Sequence, residues 1–154
     1  MSRVIELSDP RALHALAHPL RMQLLALLRR EGPLTASEAG RRIGESSGST
    51  SYHLRQLARF GLVEEAGGGR GRERPWRATG ESTAWPNVAD TPEQAEASQL
   101  LTRVVIAGYG ERLERWLARW DAESPEWLEA TALDRKSTRL NSSHSSVSRM
   151  PSSA

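Results

Sequence analysis

Between Ser8 and Phe60 the apolar residues recur every three or four positions in successive runs, each opening on a helix-start signal and closing on a stop. Ser8-Asp9-Pro10 starts the first, with Ser8 or Asp9 as cap and Ala12, Leu13, Leu16 and Ala17 facing inward. His18-Pro19 interrupts it, because the residue before a proline is pushed away from helical angles. Leu20 to Arg30 resumes as a second helix that buries Leu20, Leu24, Leu25, Leu27 and Leu28 and ends at Gly32-Pro33. Thr35 and Glu38 have the capping-box spacing and open a short third helix, which carries Ala36, Ala39 and Ile43 inward and stops at Gly44. The fourth run begins at a cap on Ser46 or Ser47, buries Leu54, Leu57 and Ala58, and ends near Gly61 in a left-handed cap.

The pattern then changes. Leu62 to Ala66 reads as a strand, Gly67 to Arg74 as a flexible basic tip, and Trp76 to Thr79 as a return strand with Pro75 at its start or edge. Gly80 to Thr91 is a linker containing Trp85-Pro86, and a long helix is predicted from Pro92 to about Asp121. Leu100, Leu101, Val104, Val105, Tyr109, Leu113, Trp116, Leu117 and Trp120 form a broad apolar stripe along it, which needs a partner. Gly108 and Gly110 each cost roughly 1 kcal/mol inside a helix and mark a bend or a close contact. Ser124-Pro125-Glu126 starts a last short helix through Leu133. Beyond Asp134, 8 of 21 residues are Ser and apolar residues are few, so the tail is expected to be disordered. Its string also resembles translated sequencing-adaptor read-through, not native sequence.

Charge sharpens this picture. Residues 1–80 hold 13 Arg and no Lys against 8 acids, a net +5; residues 81–133 hold 4 Arg against 10 acids, a net −6. A basic front followed by an acidic helical segment suggests a polyanion binder with a separate assembly element. The organisation expected is therefore a winged helix-turn-helix over 1–80, a linker over 81–91, a helical dimerisation segment over 92–133 and a tail over 134–154. The fold class is mainly α with a small β-hairpin, followed by a long C-terminal dimerisation helix. No apolar run is long enough to cross a bilayer and the first residues lack a signal-peptide core, so a cytoplasmic protein without membrane association is expected.

Several ordered motifs now stand in view: Ala17-His18-Pro19-Leu20-Arg21 with Leu24 to Leu28, Ser51-Tyr52-His53-Leu54-Arg55-Gln56-Leu57, Phe60-Gly61-Leu62-Val63, and the Gly-rich arginine segment running into Trp76-Arg77-Ala78. Together they make Leu16 to Thr79 resemble the ArsR-type winged-helix transcriptional regulators. The resemblance implies a dimeric, cytoplasmic, repressor-like DNA binder whose fourth helix enters the major groove. The family's metal-sensing thiolate pair has no counterpart in residues 36–41, and its C-terminal Asp/His pairs find no histidine between Pro92 and Leu133. The sequence is instead similar to members whose regulatory signal is unassigned; no cofactor is expected, and a small-molecule effector is left open.

The candidate DNA contacts follow. Ser47, Ser49, Thr50 and Tyr52, near the start of the fourth helix, are expected at base edges; capping is the alternative for Ser47 and Ser49. Arg55 can pair with guanine or phosphate, Arg59 extends the same polar face, and His53 is divided between phosphate contact, packing and base reading. Arg41 and Arg42 close the third helix near phosphate, and Arg70, Arg72 and Arg74 are expected at phosphates or the minor groove. Leu101, Val105, Tyr109, Leu113, Trp116, Leu117 and Trp120 are the expected dimerisation residues. The aromatics Trp76, Trp85, Tyr109, Trp116, Trp120 and Trp127 are read as dimer-core packing in preference to an effector pocket between the wing and the C-terminal helices.

Other chemistry finds little support. With no cysteine there is no disulfide, thiolate site or cysteine nucleophile. His14 and His18, four apart, lack further ligands, so packing or surface roles are favoured and no metal site is expected. Ser51 and His53 point apart on one helix and form no dyad. Gly67-Gly68-Gly69-Arg70-Gly71 lacks the ending of a P-loop. An enzyme is not expected; the rival reading is a winged helix used as a protein-interaction module.

Overall fold

The computed structural model describes residues 3–71 and 73–120, with the backbone alone described at Trp120. Arg72, the helix expected after Ser124 with Trp127, and the tail after Asp134 lie outside the described residues. The chain divides into two compact units, one ending at Gly110 and one beginning at Glu111.

The first unit opens with strand β1 (Val4–Glu6) and helix α1 (Pro10–Leu16), capped by Asp9, whose carboxylate accepts the Arg11 backbone N–H at 2.9 Å. Helix α2 (Pro19–Glu31) starts at His18. The break expected at His18-Pro19 is thus also a cap: His18 Nδ1 accepts the Leu20 N–H at 3.2 Å. Strand β2 (Leu34–Thr35) leads into α3 (Ala36–Ile43), whose capping box is closed by Thr35 and Glu38. Helix α4 (Ser47–Arg59) is capped by Ser46.

The end of α4 is a Schellman motif. Gly61 lies at φ +71°, its N–H donates to the Ala58 carbonyl at 3.0 Å, and the Leu62 N–H donates to the Leu57 carbonyl at 3.1 Å. The turn brings fully buried Leu62 back onto fully buried Leu57, which sets the chain entering strand β3 (Val63–Glu65). Strand β4 (Pro75–Ala78) returns antiparallel, and Pro75, its first residue, needs no ladder N–H. The wing is larger than the expected hairpin: β2 pairs with the other edge of β4, giving the order β2-β4-β3 with Leu34 opposite Trp76.

The stretch expected as a linker also carries regular structure. Strand β5 (Ser82–Ala84) pairs in parallel with β1, and the half-buried Arg29 of α2 holds it by donating to the Gly80 carbonyl at 2.9 Å and to Thr83 Oγ1 at 2.7 Å. Helix α5 (Pro92–Trp120) follows. Its Ala97 and Leu101 join the core formed by Leu13, Leu16, Leu24, Leu28, Leu54, Leu57 and Leu62. Leu101 is fully buried within its own protomer, so its assignment to dimerisation is corrected: the helix enters the core before its stripe turns outward.

In the second unit α5 stays exposed on every described side chain from Glu111 to Arg119. Along the helix Ile106, Leu113 and Leu117 are exposed at 63%, 56% and 47%.

Candidate nucleic-acid interface

Helices α3 and α4 meet at a gap that only a glycine fits. Gly40 has no side chain there; a Cβ would approach the Glu45 carbonyl oxygen at 2.6 Å and Thr50 Oγ1 at 2.9 Å. The phase of α4 then decides which residues face out. Thr50, Leu54 and Leu57, at helical spacing, are fully buried, while Ser47, Gly48, Tyr52, Arg55 and Arg59 are exposed.

Thr50 is therefore a correction to the sequence expectation. Its hydroxyl donates to the Ser46 carbonyl at 2.9 Å and it is fully buried, so it braces the helix-turn-helix and reaches no base. Ser49 is half-buried, its N–H donating to the capping Ser46 hydroxyl at 3.2 Å. Tyr52 stands half out of the surface, with its ring edge-on to His53. Arg55 Nη1 donates to Ser51 Oγ at 3.0 Å, which steadies the guanidinium along the helix.

His53 turns to α2. It is half-buried, its ring centroid lies 4.7 Å from that of His18, and its Nδ1 accepts from Arg21 Nε at 3.2 Å. Arg21 in turn donates through Nη1 to the Ala15 carbonyl at 2.8 Å. Burial pushes both imidazoles below their usual range, and the Arg21 charge adds to this; beside His53 the Glu45 carboxylate pulls weakly the other way. The His53 ring thus packs against α2.

The basic residues sort by their partners. Arg41, Arg59 and Arg70 are exposed, and their guanidinium groups have no ion pair among the described residues. Arg42 pairs with Glu31, which also lies 3.7 Å from Arg30, and Arg74 lies 3.2 Å from Glu65. Arg77 lies 2.8 Å from Glu64 and joins β4 to β3, while Arg74, just before β4, reaches the end of β3 in a second exposed ion pair. Ser37 Oγ donates to Glu73 Oε1 at 2.7 Å and ties the wing to the start of α3.

Sequence reasoning missed Ser37, Ser51 and Gly48. Gly48 was legible in principle, since 48, 52, 55 and 59 are one helical row; Ser37 was not, because its partner lies 36 residues away. Among the described residues no group of three or more His, Asp or Glu could hold a metal ion, and no helix is long and apolar enough to cross a membrane.

Residues 16–66, a third of the 154-residue chain, match the family model described as a helix-turn-helix domain. They hold α2, α3, α4 and β3, and β4 completes the wing. Over these residues the chain carries a helix-turn-helix domain with an adjoining wing. A helix-turn-helix domain is a DNA-binding element of transcription regulators.

Solved structures similar to the chain include reduced HlyU from Vibrio cholerae N16961, 26% identical over 61% of this chain and 84% of that one, with a TM-score of 0.39. The transcriptional repressor BigR from Xylella fastidiosa is 23% identical over 65% and 82%, at 0.39. Wild-type ZitR from Lactococcus lactis in complex with DNA is 12% identical over 80% and 73%, at 0.41. No curated protein matches the chain. At such scores the superpositions are loose, and the helix-turn-helix domain stands on the family match and its own elements.

Proposed function

We propose that the chain is a sequence-specific, repressor-like transcriptional regulator that works in the cytoplasm and binds a near-palindromic operator as a homodimer. The observation that carries this reading is the division of α4 into a buried row of Thr50, Leu54 and Leu57 and an exposed row of Gly48, Tyr52, Arg55 and Arg59. A helix anchored on one side and bearing hydroxyls, a phenol and guanidinium groups on the other suits the donors, acceptors and methyl groups of the major groove. Ser47, Ser49 and Tyr52 are assigned to base edges and Arg55 to guanine or phosphate. Arg41, Arg42, Arg59, Arg70, Arg72 and Arg74 are assigned to the phosphate backbone. The ion pairs of Arg42 and Arg74 are exposed, and such pairs are weak enough for a phosphate to replace the carboxylate.

Val105, Tyr109, Leu113, Trp116, Leu117 and Trp120, with Ile106 added, are assigned to the face that meets a second copy. Twofold pairing sets the half-site centres about 34 Å apart, one turn of the duplex, or a multiple of that. The test is an anisotropy titration of the DNA upstream of the coding sequence against a scrambled duplex, at several salt concentrations. Selective binding that weakens with salt is the expected result. Equal affinity for both duplexes, or none at low salt, rejects the operator and leaves the interaction-module alternative.

A further inference from the structure

The first unit also holds an open cleft of about 390 Å³, between the segment that begins at Trp85 and the face of α5 bearing residues 98, 99, 102 and 103. Its size falls at the lower end of small-molecule sites. Its walls are firmly held. The Leu7 N–H donates to the Ala84 carbonyl at 2.8 Å just before Trp85. Beyond the cleft the buried Gln94 accepts the Asp90 N–H at 2.7 Å and donates to the Ser8 carbonyl at 2.8 Å. The Trp85 indole is itself fixed, with Nε1–H donating to Thr102 Oγ1 at 3.3 Å and Thr102 donating on to the Ser98 carbonyl at 2.8 Å.

What remains at the wall is unused hydrogen-bonding capacity and one charge. Ser98 lines the cleft, is 9% exposed, and its buried hydroxyl has no hydrogen-bond partner among the described residues. A buried polar group without a partner calls for an explanation. Arg103 also lines the cleft; it is the only basic residue between Ala78 and Glu111, and its guanidinium has no ion pair among the described residues. No carboxylate lines the cleft. Trp85, Gln99, Thr102 and Arg103 therefore line one space, with the unpartnered Ser98 hydroxyl buried at its wall.

We propose that this cleft binds a small aromatic carboxylate, with the ring against Trp85, the carboxylate on Arg103, and Ser98 and Gln99 completing its hydrogen bonds. The helix-turn-helix protein would thereby have a site for an organic anion. Binding is read without DNA, so failure here and failure of the operator reading are separate results.

The experiment follows the tryptophan indole N–H signals of the full chain by nuclear magnetic resonance, with Trp85 assigned through Trp85→Phe. The probes are naphthalene-2-carboxylate and its uncharged amide. The acid should shift the Trp85 signal saturably and the amide should bind about tenfold more weakly, as expected for loss of a charge-assisted pair. Arg103→Gln, at an exposed position, should keep its thermal unfolding profile and lose the preference for the acid. No saturable shift, equal binding of acid and amide, or a preference that survives Arg103→Gln would each overturn the proposal.

Discussion

A methyl group at Gly40 would sit within 3 Å of two atoms that have little room to move, the Glu45 carbonyl oxygen and the buried Thr50 hydroxyl. Gly40→Ala must therefore push α3 from α4, and it is expected to destabilise the protein by about 1–3 kcal/mol. Urea unfolding measures this; an unchanged midpoint would mean that the two helices slide freely. The histidine pair makes a second prediction at this scale. His18 and His53 are held below their ordinary value of 6.5 by burial, so the fold prefers them neutral while the unfolded chain takes up protons more readily. Their contribution to stability is fully present above the unfolded value and is lost as pH falls through the lower folded values. Glu38, kept acidic by the Thr35 N–H, and Asp9, kept acidic by Arg11, stay ionised in that window. Between pH 7 and 5 the melting temperature should fall, and in His53→Gln it should fall less. Identical slopes would place the titration elsewhere.

Among the elements, legibility followed the range of the interactions. The helices were readable because caps and stripes are local: Asp9, Thr35 with Glu38, Ser46 and Gly61 each act within a few residues of their own helix end. The strands β1, β2 and β5 were not, since each is at most three residues long, too short for a period, and finds its partner far along the chain. At the interface, a hydroxyl on a polar-looking helix was read as a donor to DNA, yet Thr50 lies four residues before Leu54 and seven before Leu57, on the buried row. For His53 the sequence left packing, phosphate contact and base reading open, and only the distant Arg21 and His18 show what its ring meets. The wing and α4 should separate in experiment. Replacing Arg70, Arg72 and Arg74 by Ala should weaken binding to all duplexes alike and reduce the slope of log affinity against log salt by about one for each phosphate no longer neutralised. Tyr52→Ala or Arg55→Ala should instead remove discrimination, by about 1–3 kcal/mol for each base edge no longer read. Equal losses on operator and scrambled DNA in every variant would refute that division of labour.

For the molecule as a whole, the decisive feature is that α5 serves two ends. Ala97 and Leu101 are fully buried in the protomer's own core, whereas Ile106, Leu113 and Leu117 expose large apolar surface that a solitary chain leaves in water. Sequence periodicity could not divide this stripe, because both halves keep the same three- and four-residue rhythm; only the position of the core decides which leucines go inside. In the homodimer proposed above this apolar surface meets a second copy, which also doubles the contacts with DNA. Leu113→Glu with Leu117→Glu leaves the core cluster untouched, so the thermal transition of the winged domain should persist while light scattering reports a monomer. Losing the second half-site turns one tethered event into two separate ones, and effective concentrations in the millimolar range set the scale of the loss, so operator affinity should fall by about a hundredfold or more. Weak salt-dependent binding to any duplex should survive, because the arginines of each protomer are unchanged. A double variant that stays dimeric, or a monomer that still binds the operator at full strength, would remove α5 from the assembly and leave its exposed leucines for some other surface.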